Sequence, residues 1–186
     1  YEMSASLVGS EMCIRDSAIR IAAAAIAEMA IGRIGDDTTV NVGQIEGGRA
    51  SNIVPDYCEV SGELRSFSHK KALEELAKVE QIFAKEAEKR GGSIEFIRDI
   101  CYQAYKTDEK ESVVKEFQKA CTACGIKSSL IATFGGSDQN KMSEHGIPGI
   151  VMASAMHQVH SCQEYTEVSE MAQVAGIVSE LLQMKE

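Results

Sequence analysis

The chain has no run of about 18 or more apolar residues, so it offers no segment able to cross a bilayer as a helix. Its longest apolar run, Ile21–Ala27, is closed off by Arg20 and Glu28. Positive charge is also in short supply: 19 Lys and Arg stand against 28 Asp and Glu, for a formal net charge of −9. That removes the basic stripe a nucleic-acid or anionic-membrane partner would need, so neither partner is expected. The opening residues lack the charged n-region of a signal peptide. The six cysteines follow no regular spacing beyond Cys121-Thr-Ala-Cys124. A secreted disulfide scaffold would be shorter and denser in cysteine, which points to a reducing cytoplasm. Cys121 and Cys124 fall near the end of a predicted helix, not at the start of one that follows a strand, so they do not have the placement of a thioredoxin-like redox pair.

What is present fits one ordinary domain or two small ones: 186 residues, 44% hydrophobic and 25% charged. Residues 1–17 show neither clear helical nor strand period, as expected of a junction segment or a poorly ordered native terminus. From Ala18 the pattern becomes regular. A helix is predicted over Ala18–Ile31, with Ser17 as cap and Gly32 as stop. Strands are predicted over Thr38–Glu46 and Tyr57–Ser66, the second with Cys58, Val60, Gly62 and Leu64 on one face. Ser68 opens an amphipathic helix to about Arg90, ended by Gly91-Gly92, and Ser93–Tyr102 reads as a strand. The order α-β-β-α-β resembles a ferredoxin-like sandwich whose first strand is absent or lies within residues 1–17.

A second unit begins near Ala104. A helix capped by Asp108 is expected over Glu109–Cys124, then a short strand Ser129–Thr133, a glycine turn and a short helix near Gln139–Glu144. A buried strand Gly149–Ala153 and a final helix Ser169–Met184 follow. The alternation predicts α/β packing, and the set is too small for an independent sheet, as if it were the tail of a larger domain.

The groups with chemical potential cluster in the second unit. His157, His160, Cys162 and Glu164 stand just past a predicted buried strand, where an α/β protein keeps its site. Imidazole suits zinc, but a complete zinc site takes three or four ligands, and a lone loop histidine is more often a surface or hydrogen-bonded residue. Gly135-Gly136-Ser137-Asp138 reads either as a ligand-facing turn or as a plain connection with Ser137 or Asp138 as N-cap. Asn52 and Arg65 carry amide and guanidinium donors that suit a carboxylate, or are solvated turn and strand residues. His69 and His145 read as structural or solvent-facing.

Three stretches, GGRASNIVPDYCEVSGELRS (47–66), FGGSDQNKMSEHGIP (134–148) and VHSCQEYTEV (159–168), together resemble the zinc-dependent family of aminopeptidases, carboxypeptidases and aminoacylases that includes peptidase T. IGRIGDDTTVNVGQIEGG (31–48) favours the peptidase T-like branch. The resemblance implies a ferredoxin-like lid and dimerisation domain over 18–102, less its first strand, and the C-terminal α/β part of a zinc catalytic domain over 103–186. It places His160 at the last histidine zinc ligand, with Glu164 completing an H-x-x-x-E pattern. It places Asn52 and Arg65 at lid positions that contact substrate, and Gly136, Ser137 and Asp138 beside the substrate cleft. His157 acquires no role from it.

The same resemblance implies a centre of two zinc ions whose bound water attacks the scissile carbonyl. The other zinc ligands, the bridging aspartate and the glutamate general base of the family lie upstream of the lid, and residues 1–17 do not supply them. No general base is therefore assigned in this chain. The expectation is a cytoplasmic, homodimeric peptidase in its complete form, removing N-terminal residues from short peptides, with this segment alone inactive. Deacylation of N-acyl amino acids, carboxypeptidase action and a non-catalytic dimerisation module are the competing readings.

Overall fold

The computed structural model describes residues 1–8 and 17–183. The chain divides into two compact units, Tyr1–Ala104 and Tyr105–Glu186. In the first, strands β1 (Glu2–Val8), β2 (Gly32–Ile34), β3 (Thr38–Gly47), β4 (Tyr57–Ser66) and β5 (Ser93–Asp99) form one antiparallel sheet in the order β2-β3-β4-β1-β5. Helices α1 (Ala18–Glu28) and α2 (His69–Lys89) complete it. Without the three-residue edge strand β2, the order β3-β4-β1-β5 is that of the ferredoxin-like sandwich.

β1 corrects the sequence reading. Residues 2–8 are not an appendage but a central strand, paired on one side with β4 (Ala5 opposite Val60) and on the other with β5 (Ala5 opposite Phe96). Of the two alternatives for the first strand of the sandwich, absence or a place within residues 1–17, the second holds. Met3, Ala5 and Leu7 point into the core while Glu2, Ser4 and Ser6 stay outside it. Small Ala and Ser residues give only a weak strand signal, so the alternation over residues 2–8 does not stand out in the sequence. The remainder of the proposed junction, residues 9–16, lies outside the described residues.

The core is the layer between this sheet and the two helices. Leu7, Val40, Cys58, Val60 and Leu64 of the sheet face Ile21, Ala22 and Ala25 of α1 and Leu76, Val79 and Phe83 of α2. The alternation read in Tyr57–Ser66 holds, with Cys58, Val60 and Leu64 buried. At Gly62 a Cβ would lie 2.3 Å from the Asn41 carbonyl oxygen, so the β3–β4 contact needs glycine there. A register shift between Val42 and Gln44 bulges β3 beside it. Helix α2 starts where its cap predicts: Ser68 Oγ accepts the Lys71 N–H at 3.4 Å, and Gly91 takes φ +72° at the other end. Helix α1 stops at Glu28, short of the expected Ile31, because Met29 is already extended (φ −70°, ψ 141°).

In the second unit, α3 (Ser112–Ala123), α4 (Asp138–Glu144) and α5 (Val168–Gln183) match the expected helices with shifted ends. Asp108 does not cap α3; its carboxylate accepts the Lys110 N–H at 2.8 Å, closing a turn ahead of the helix. α3 and α5 pack through Ala120, Cys121 and Ile177. The strands expected at Ser129–Thr133 and Gly149–Ala153 belong to no sheet. A strand exists through its neighbour's hydrogen bonds, and the described residues place no sheet partner beside these two. Ile131 is 83% exposed and Val151 58%. The sheet of this unit is instead a two-residue ladder, β6 (Met156–His157) with β7 (Tyr165–Thr166).

Candidate active-site elements

Asn52 and Arg65 are both carried by the first unit, at opposite ends of β4. Asn52 is exposed in the β3–β4 connection, whereas Arg65 lies next to the last residue of the strand. The eight residue steps from Tyr57 to Arg65 alone span roughly 26 Å, so the structure does not bring these two donors to one point within a chain. Arg65 projects from the outer face of the sheet and forks onto Glu63, two residues back on the same face, with Nε–Oε1 2.8 Å and Nη2–Oε2 3.0 Å. The bidentate geometry is the one a guanidinium offers any carboxylate. Glu63 was not singled out from the sequence, although strand alternation already placed it beside Arg65.

Gly136, Ser137 and Asp138 lead into α4. The Ser137 N–H donates to Asn140 Oδ1 at 3.0 Å, one half of a capping box closed by the Ser137 side chain. The capping reading thus accounts for Ser137. Asp138 begins the first turn and is exposed, where a carboxylate complements the helix dipole.

His160 sits at the exposed tip of the β6–β7 loop. Glu164 does not face its ring: Oε2 of Glu164 accepts the backbone N–H of His160 at 2.8 Å. Ser161 Oγ donates to the Gln158 carbonyl at 2.7 Å, and the Gln163 N–H donates to Ser161 Oγ at 3.1 Å. Three non-glycine residues take left-handed backbone here, Ala155 (φ 62°), Gln158 (φ 51°) and His160 (φ 64°). Each such residue costs on the order of 1–3 kcal/mol and persists where its surroundings over-determine it, a pattern typical of sites.

His157, given no role by the sequence, is a junction in the structure. Its Nε2 lies 2.5 Å from Oε2 of Glu170 on α5, and its ring stacks on Tyr165 (centroids 4.8 Å apart, planes at 16°). Thirteen residues separate His157 from Glu170, and no sequence period links a loop histidine to the first turn of the next helix.

A protein-held zinc ion takes three or four donors. Among the described residues, the one cluster of three candidate ligand atoms is Glu2, Asp99 and Cys101, in the first unit. His160 is in no such cluster, so the described residues do not make a zinc site around it; they offer one imidazole. No helix among the described residues is long and apolar enough to cross a membrane.

Residues 14–91 match the peptidase dimerisation domain. The uncharacterized protein YqjE of Bacillus subtilis is 34% identical over 167 residues, 90% of this chain and 45% of that protein. Among solved structures, aminopeptidase PepT from Bacillus cereus is 32% identical with a TM-score of 0.81, over 98% of this chain and 52% of its own. A tripeptidase from Staphylococcus aureus is 28% identical with a TM-score of 0.89, over 98% of this chain and 50% of its own. A dinuclear metal-binding peptidase of the M20 family from Bacillus subtilis, at 17% identity and a TM-score of 0.74, shares the fold. The chain spans about half the length of these relatives. Domain match, backbone likeness and the order of elements agree: this chain is similar to peptidases of the M20 family over about half of their length, with residues 14–91 matching the peptidase dimerisation domain.

Proposed function

We propose that this chain is the lid and the following α/β portion of a zinc-dependent, cytoplasmic peptidase of peptidase T type, which removes N-terminal residues from short peptides as a homodimer. The observation that carries the reading is the backbone likeness to an aminopeptidase and a tripeptidase over 98% of this chain, at TM-scores of 0.81 and 0.89. In that reading His160 contributes one ligand of a metal centre whose other donors come from outside the described residues. Arg65 offers its guanidinium to a substrate carboxylate, exchanging Glu63 for it, and Gly136, Ser137 and Asp138 border the cleft. Because Asn52 and Arg65 stand at opposite ends of β4, Asn52 would serve a different end of the substrate or the site of the second copy.

The test uses a longer protein in which this segment is continuous with the family's upstream half. Tripeptides with a free and with an acetylated N-terminus are compared, with His160→Ala as control. Cleavage of the free peptide alone supports the proposal. Preference for the blocked substrate would move the reading to deacylation, and no turnover of either would leave a dimerisation module.

A further inference from the structure

We propose that His157, gripped between Tyr165 and Glu170, is the positioning residue that holds the loop presenting His160; its functional meaning rests on the reading of His160 given above. The loop hangs on a two-residue ladder, Met156 opposite Thr166 and His157 opposite Tyr165. A ladder that short is not stable in water by itself. The hydrogen bonds inside the loop join Gln158, Ser161, Gln163 and Glu164 to one another and to the His160 N–H, all within seven residues. They shape the turn but tie it to nothing rigid. Left-handed backbone at Gln158 and His160 works against the turn throughout.

The tie to a long element runs through the His157 ring. Its edge meets the Glu170 carboxylate in the first turn of the sixteen-residue α5, and its face covers Tyr165 across the ladder. One side chain thereby fastens both strands of the hairpin to the helix. Both His157 and Glu170 are about three-fifths covered, at 38% side-chain exposure each, which shields their contact from water on one side. Beneath them Ile126, Met156, Val174 and Ile177 line an open apolar groove between the loop and α5. The hairpin would swing across this groove if the tie were cut. His160 lies three residues beyond His157, so its imidazole moves with any such swing.

Amide hydrogen exchange on the 186-residue chain tests the proposal without metal or substrate, so its outcome is separate from that of the peptidase reading. In Glu170→Ala the His160 N–H is expected to exchange at least tenfold faster than in the unsubstituted chain. In Glu170→Gln, which keeps an oxygen acceptor for the imidazole N–H, it is expected to stay within threefold. The amides of Val174 and Ile177 in α5 are expected to keep their rates in both. An unchanged His160 rate in Glu170→Ala overturns the proposal. So does an equal acceleration of the α5 amides, which would make the pair a helix-stabilising contact, and so does a Gln variant that behaves like the Ala variant.

Discussion

Replacing Leu7 with alanine is the sharpest test of the lid's architecture, because it strikes the strand that the sequence did not reveal. Leu7 is fully buried, opposite Cys58 on one neighbouring strand and Ile94 on the other. Removing three carbons from a leucine at such a site forfeits their transfer energy and leaves a cavity, together about 2–5 kcal/mol. The position lies in the middle of the sheet, flanked by strands on both sides, so collapse around the hole is restricted and a cost of about 3–4 kcal/mol is expected. Ser6→Ala is the matched control: its side chain points away from the core and its hydroxyl is 3.4 Å from the Tyr57 hydroxyl, a marginal hydrogen bond. Its cost is expected to be within about 0.5 kcal/mol. Urea titration followed at the Val60 and Phe83 resonances reports the first unit alone. A Leu7→Ala cost no greater than that of Ser6→Ala would refute the placement of β1 in the core.

Gly62→Ala puts a Cβ 2.3 Å from the Asn41 carbonyl oxygen and is expected to destabilise the first unit by about 1–3 kcal/mol or more in the same titration. Arg90→Ala strips the buried Glu86 carboxylate of one of its cationic partners and leaves Lys89, 3.4 Å away, as the other; a destabilisation smaller than the roughly 3–5 kcal/mol of a buried charge left wholly unpaired is expected. The exposed Asp37–Lys71 pair gives a pH signature. The Lys71 ammonium lowers the Asp37 pKa, and Asp37 in turn raises that of Lys71. The Asp37 contribution is therefore present above the ordinary carboxylate pKa and lost as pH falls through its lowered value; that of Lys71 is present below the ordinary lysine pKa and lost as pH rises through its raised one. Asp37→Asn should lower stability at neutral pH and make no difference in strong acid. Burial raises the thiol pKa of Cys58 and Cys121, so an aromatic disulfide reagent should reach the exposed Cys162 before those two, which react only on unfolding.

How much could be read in advance depended on whether the signal was local. β4 was legible to the residue because Cys58, Val60 and Leu64 alternate cleanly with polar positions. α2 was legible because Ser68 and Gly91 mark its two ends. β1 was not, since Met3, Ala5 and Leu7 alternate over small side chains and adjoin residues with no period. The segments at 129–133 and 149–153 have strand-like composition, but a strand is completed by its neighbour, which composition does not show. In the second unit the sequence pointed to His160 and to the Ser137 turn. It could not show that Glu164 would bind the His160 backbone, or that His157 would reach a helix thirteen residues on.

We propose His160 as one donor of a metal centre completed from outside the described residues. Zinc titration of the 186-residue chain, with His160→Ala alongside, tests it most directly. Weak binding, outside the submicromolar range, is the result expected of a lone imidazole. In a longer protein with the full donor set, His160→Ala should then lower zinc affinity by more than the roughly 10–100-fold that loss of an outer partner costs. A stoichiometric, submicromolar site in the 186 residues that is lost in His160→Ala would contradict the account, as would unchanged zinc affinity on removing His160 from the longer protein.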